Sequence, residues 1–203
     1  MGRTLSAKQV LTLKRRTIRP GGIWADCVGE IDRTGVVFFW GNSGNGKTSF
    51  VMQLCKELCK YDRVAFNSLE EGTCLTVQNN LRRFGMAEVS RRLAFIKEDI
   101  PALKERLARH KSFNIVVIDS IQYTQMNYRD YILLKEAFPD KLFIFISHAR
   151  GKNPKGDAAT SVMYDADLKI YIEGYVAFSK GRYIGDTGRY VIWEEGAREA
   201  GLI

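Results

Sequence analysis

Short apolar runs rich in Val, Ile and Phe recur along the chain at residues 36–40 (VVFFW), 63–68 (RVAFNS), 93–97 (LAFIK), 114–118 (NIVVI) and 142–147 (LFIFIS). Each is strand-length and shows little polar alternation, the pattern of strands buried on both faces. Between them apolar residues return at helical spacing. Phe50, Val51, Leu54, Cys55 and Leu58 lie on one face of a helix expected over 47–60. Further helices are expected over roughly 74–84, closed by Gly85, over 101–111, where Pro101 suits a first turn, and near 128–138. Strand and helix in alternation predict an α/β fold, a mostly parallel sheet flanked by helices.

The pattern changes at both ends. Residues 4–16 (TLSAKQVLTLKRR) read as a short basic helix stopped by Arg19-Pro20-Gly21-Gly22, so residues 1–33 are expected to form a basic N-terminal extension and 34–203 the main domain. In the last quarter, LKIYIEG, YVAFSKGRY and RYVIWEE alternate and are joined by short turns, including Gly185-Asp186-Thr187-Gly188. They predict antiparallel strands added at the C-terminal edge of the sheet.

Composition narrows the class. No apolar run approaches the roughly 20 residues of a membrane helix, and Met1-Gly2-Arg3-Thr4 opens no signal-peptide-like apolar region, so a cytoplasmic protein is expected. Cys27, Cys55, Cys59 and Cys74 form no paired C-x-x-C knuckles, and Cys55 and Cys59 lie one turn apart on the apolar helix face, where cysteine acts as a small hydrophobe. The net charge of +8 gathers in Lys8–Arg19, Arg82-Arg83 with Arg91-Arg92, Lys104–Lys111 and Arg150–Lys155. Such an excess suits a polyanion such as DNA, and equally a solvated surface that serves solubility.

The chemistry centres on Gly41-Asn42-Ser43-Gly44-Asn45-Gly46-Lys47-Thr48, followed by Ser49. A strand precedes this run and a helix follows it, the setting in which backbone N–H groups and a helix N-terminus cradle phosphates. Lys47 is expected to reach the β- and γ-phosphates of a nucleoside triphosphate, and the Thr48 hydroxyl to ligate Mg2+. Asp119 ends the strand Ile115-Val116-Val117-Ile118, which is expected to deliver a second magnesium-holding group, its carboxylate, to the same sheet edge. Hydrolysis needs a group to activate water, and Ser68-Leu69-Glu70-Glu71-Gly72 at the next strand tip offers two acids, Glu70 preferred and Glu71 open. His148 ends strand 142–147 at that edge, a candidate sensor of the γ-phosphate. The basic loop after it carries Arg150, Lys152 and Lys155, candidates for contact with a nucleic-acid backbone.

Together, the loop, Asp119 and Glu70 resemble the RecA-like P-loop ATPases: RecA/RadA recombinases, KaiC-type proteins and DnaB-type helicases. Val117-Ile118-Asp119-Ser120-Ile121-Gln122 resembles the second nucleotide-site motif of the RadA branch, and Ser68-Leu69-Glu70 the helicase SLE segment. The resemblance spans roughly residues 34–195 and implies a RecA-like core, ATP with Mg2+, Glu70 as water activator, and ATP shared between subunits of a homo-oligomer. Lys180-Gly181-Arg182 is similar to the K-x-R element that reaches the neighbouring subunit's ATP, which implies catalytic roles for Lys180 and Arg182 in trans. Among family members the chain most resembles small single-domain ATPases of prophages and mobile elements. The expected function is a nucleic-acid-stimulated ATPase in DNA recombination, replication or transposition. An ATP-gated adaptor with slow hydrolysis is the alternative, and a small-molecule kinase a third, although no arginine-rich lid is visible.

Overall fold

The computed structural model describes residues 4–203. Four short elements come first: α1 (Ala7–Leu11), β1 (Thr17–Ile18), α2 (Ile23–Val28) and β2 (Ile31–Asp32). The core then alternates β3 (Gly35–Gly41), α3 (Lys47–Leu58), β4 (Val64–Ser68), α4 (Leu75–Arg83), β5 (Leu93–Ile96), α5 (Ile100–Ala108), β6 (Ile115–Asp119), α6 (Tyr128–Ala137) and β7 (Leu142–Arg150). It closes with β8 (Asn153–Pro154), α7 (Asp157–Asp165), β9 (Leu168–Glu173), β10 (Val176–Gly181), β11 (Arg189–Val191) and α8 (Glu194–Glu199).

The main sheet has the order β11-β10-β9-β3-β7-β6-β4-β5, with β8 paired to β7. All strands from β9 to β5 in that order run parallel, and β10 and β11 add antiparallel pairs at one edge. Side chains on β3 divide the core: Val37 and Phe39 join Phe50, Val51 and Leu54 of α3 on one face. Val36, Phe38 and Trp40 face Leu103 of α5, Tyr131 of α6 and Val162 of α7 on the other. Two buried faces explain why the strands read as continuous apolar runs. Register aligns their C-terminal ends, with Gly41 beside His148, and Asp119 beside both Ile146 and Ser68.

The structure departs from the sequence reading in four places. The N-terminal helix covers Ala7–Leu11 rather than 4–16, with Ser6 and Gln9 forming a capping box; it buries no residue, and the Thr12 hydroxyl turns back to the Gln9 carbonyl. A helix without a buried face has little to extend it. Residues 17–33 hold α2, whose six residues are too few to show a period, and they place Ile18, Cys27, Val28 and Ile31 in the core. Met1–Arg3 of the expected extension lie outside the described residues. Of the three last strands, β9 pairs parallel with β3, and only β10 and β11 add antiparallel pairs; RYVIWEE stops as a strand at Val191 and turns into α8. Finally, the basic stretch 149–156 is no open loop: β7 runs on to Arg150 and folds back through β8, and α7 follows.

Candidate active site

The phosphate loop fills the gap between β3 and α3. Gly44 and Gly46 adopt φ of 77° and 89°, a left-handed conformation that costs little only for glycine. Gly46 also caps α3 without a side-chain hydrogen bond, which leaves the first-turn N–H groups for an anion. Asn45 braces the curve: its amide donates to the Asn42 and Ser43 carbonyls at 3.3 and 3.2 Å, and its Oδ1 accepts from Gly174 N–H at 2.7 Å. Lys47 Nζ donates to the Asn42 carbonyl at 2.9 Å, so its ammonium rests on the loop it serves.

Three strand ends, those of β4, β6 and β7, deliver the remaining groups. Leu69 and Glu70 N–H both donate to the Asp119 carbonyl, at 2.7 and 3.1 Å, which fastens the Glu70 loop to the end of β6. His148 Nε2 lies 3.2 Å from Glu70 Oε2. Gln122 holds His148 from behind: its Oε1 accepts from His148 N–H at 3.2 Å, while its Nε2 donates to Ser147 Oγ and to the Lys155 carbonyl, each at 2.8 Å. A cleft of about 340 Å³ brings together Ser43, Gly44, Gly46, Lys47, Thr48, Ser49, Glu70, Glu71, Asp119 and His148.

Electrostatics in this cleft favour a cation. Burial, then the negative charges of Glu70 and Glu71, push the Asp119 carboxyl up to about 7, with Lys47 pulling the other way. Burial also lowers the Lys47 ammonium, against Asp119 and Glu70. Lys47 and Arg83 share the cleft with three acids, Glu70, Glu71 and Asp119, so negative charge stays in excess, which a divalent ion would offset. Among the described residues no cluster of three or more His, Cys, Asp or Glu forms a metal cage. The donors present, the Thr48 hydroxyl and the Asp119 carboxylate, fit instead an ion shared with phosphates and water, the usual habit of magnesium.

The other predicted residues lie elsewhere. Arg150 at the end of β7, Lys152 in the β7–β8 turn and Lys155 just after β8 are exposed, and this hairpin is pinned by Trp40 Nε1 donating to the Lys152 carbonyl at 2.9 Å and by Lys155 N–H donating to the His148 carbonyl at 2.9 Å. Lys180 and Arg182 are not brought into the cleft of their own chain. Lys180 pairs with Lys169 where β9 begins, and Arg182 binds Asp167 Oδ1 at 2.7 Å, while Asp167 Oδ2 accepts from Val36 N–H. Gly41 lies five residues beyond Val36 along β3, roughly 17 Å of strand.

The sequence reading missed Tyr175 and Trp193, which also line the cleft, and the polar face of α4 formed by Thr76, Asn80 and Arg83. The α4 residues carry a legible signal, the i, i+4, i+7 spacing of one helix face. The aromatics carry none, because a turn and a helix cap bring them in.

Similarity to solved structures agrees with this geometry. A KaiC-like protein from the archaeon Pyrococcus horikoshii superposes with a TM-score of 0.59 over 88% of this chain and 98% of its own, at 16% identity. The flagellar accessory protein FlaH of Methanocaldococcus jannaschii gives a TM-score of 0.61 over 86% and 90%, at 14% identity. The fold is RecA-like, a P-loop core with a mostly parallel sheet. No protein-family model and no curated protein matches the sequence.

Proposed function

We propose that this RecA-like chain is a magnesium-dependent ATPase that releases ADP and phosphate, and that it acts as a homo-oligomer stimulated by nucleic acid in DNA recombination, replication or transposition. The observation that carries the reading is the convergence of Lys47, Asp119, Glu70 and His148 on one phosphate loop, with His148 3.2 Å from Glu70. Thr48 and Asp119 would hold magnesium, whose charge offsets that of the phosphates. Lys47 leaves the Asn42 carbonyl to meet the β- and γ-phosphates. Glu70 takes a proton from water as its oxygen bonds to the γ-phosphorus and the bridging bond to the β-phosphate breaks. His148 joins Glu70 to the base of the basic turn, so a phosphodiester bound at Arg150, Lys152 and Lys155 has a short route to the water-activating acid. Lys180 and Arg182 complete the neighbouring molecule's site.

Among the described residues no helix is long and apolar enough to cross a membrane. Four free cysteines, three of them buried, accord with a cytoplasmic setting. The distance of Lys180 and Arg182 from their own cleft also favours a second reading, an ATP-gated adaptor whose isolated chain hydrolyses slowly. Phosphate release at saturating ATP, with and without single-stranded DNA, duplex DNA and RNA, tests both, with oligomer size recorded in each condition. Stimulation together with assembly supports the ATPase. Assembly on ATP with slow, unstimulated turnover supports the adaptor, and absence of ATP binding in every condition refutes both.

A further inference from the structure

The phosphate loop belongs to the central strand β3, and the cleft extends to both sides of it. Glu70 and Asp119 come from β4 and β6 on one side, and Tyr175 from the turn between β9 and β10 on the other. A nucleotide whose γ-phosphate lies at the acids therefore points its base toward the β9–β10 side. There the cleft is walled by Tyr175 and Trp193, whose rings meet edge to face with centroids 5.0 Å apart.

Several features hold this wall against the loop. Tyr175 adopts φ of 60°, a left-handed conformation that is a genuine outlier for so large a side chain. Such strain persists where surrounding structure over-determines it. The preceding residue is latched by Gly174 N–H donating to Asn45 Oδ1 of the phosphate loop at 2.7 Å. Tyr175's carbonyl accepts from Ile192 N–H at 2.8 Å, which joins the turn to the segment bearing Trp193. Glycine gives the pair room on both sides: a Cβ at Gly46 would sit 3.0 Å from the Tyr175 ring, and one at Gly196 would lie 2.4 Å from Trp193 and 2.5 Å from Tyr175. Trp193 stays 37% exposed although it packs on Tyr175, which leaves ring surface free beside the phosphate loop.

We propose that Tyr175 and Trp193 form a nucleobase subsite of the phosphate-loop cleft, giving the base a stacking surface that favours the larger purines over pyrimidines. This rests on the nucleotide reading above and extends it to the base. Aromatic stacking is driven by ring area and by removal of apolar surface from water, so it contributes to nucleotide affinity and nothing to a bare phosphate chain.

Binding of ATP, CTP and inorganic tripolyphosphate to the parent chain, Trp193→Ala and Trp193→Phe separates base from phosphate recognition. The parent is expected to bind ATP more tightly than CTP. Loss of one stacking ring by alanine substitution should weaken ATP about tenfold and leave tripolyphosphate within about twofold. Trp193→Phe keeps a ring and should stay near the parent. Trp24 is half-buried and Trp40 buried, so quenching of tryptophan emission by ATP, absent with tripolyphosphate and lost in Trp193→Phe, gives a second readout that needs no disruptive variant. Equal loss of ATP and tripolyphosphate affinity would show that the pair only shapes the loop, and unchanged ATP affinity without quenching would place the base elsewhere; either result overturns the subsite. Failure of the parent to bind tripolyphosphate and ATP alike would instead refute the phosphate site, and the subsite with it.

Discussion

Asp119→Asn is expected to stabilise the protein at neutral and alkaline pH while removing the carboxylate proposed to hold magnesium. Asp119 is 5% exposed, and its carboxyl is raised from 3.8 to about 7, first by burial and then by Glu70 and Glu71. The folded chain therefore holds this proton more tightly than the unfolded chain does. Its contribution to stability is fully present below about pH 4 and is lost as pH rises through about 7. A shift of about three pKa units, at 1.36 kcal/mol each, gives a ceiling of about 4 kcal/mol for the penalty of the ionised form. Asparagine keeps the shape without the charge, and the backbone carbonyl that accepts from Leu69 and Glu70 is untouched. In chelator and without nucleotide, the variant should melt with the parent near pH 3.5 and above it by an amount that grows to pH 7 and is then flat. At about 2–4 °C per kcal/mol for a domain of this size, the plateau approaches 10 °C. A difference that does not change with pH, or a variant less stable than the parent at pH 8, would refute the reasoning.

Gly41→Ala should lower the urea midpoint, because the new Cβ would lie 2.2 Å from the Ile172 carbonyl oxygen of β9; overpacking against backbone costs about 1–3 kcal/mol or more. Gly44→Ala meets no atom within 4 Å, so only its φ of 77° opposes the change, at about 1–2 kcal/mol. Replacing Arg150, Lys152 and Lys155 together with Gln should weaken DNA binding and flatten its salt dependence, read by anisotropy titration at several salt concentrations, while ATP affinity is retained. Unaltered DNA binding would move the nucleic-acid surface to another basic cluster. Arg182→Ala and Glu70→Gln, each inactive alone, should regain phosphate release on mixing, because a neighbour's intact Arg182 can serve an intact Glu70 site. No recovery, with strictly monomeric protein at every ATP concentration, would leave Lys180 and Arg182 as surface charges.

Much of this arrangement is legible in residue order. A parallel sheet delivers the residues at its strand ends to one edge, so the apolar runs ending at Trp40, Ser68, Asp119 and Ser147 bring Lys47, Glu70, Asp119 and His148 to that edge. The pairing of His148 with Glu70 follows from register, which a single sequence does not state. Illegible features depend on long-range contacts or on unusual backbone. β9 reads as a hairpin strand because it precedes a tight turn and does pair with β10, but nothing local shows that its other edge pairs parallel with β3, burying Leu168, Ile170 and Ile172 in the core. Tyr175 occupies a turn position where glycine or asparagine is the usual signal, so nothing marked it as part of the cleft. Thr76, Asn80 and Arg83 were legible in spacing, but three polar residues on a helix read first as a solvated face.

Phosphate release by Glu70→Gln at saturating magnesium and ATP, with nucleotide binding measured on the same preparation, tests the central claim most directly. The variant should bind ATP nearly as tightly as the parent, because the phosphate loop and Lys47 are intact, and should release phosphate on the order of a hundredfold more slowly. Normal turnover in Glu70→Gln with loss in Glu71→Gln would assign water activation to the adjacent acid, and normal turnover in both would contradict a RecA-like hydrolytic mechanism at this cleft.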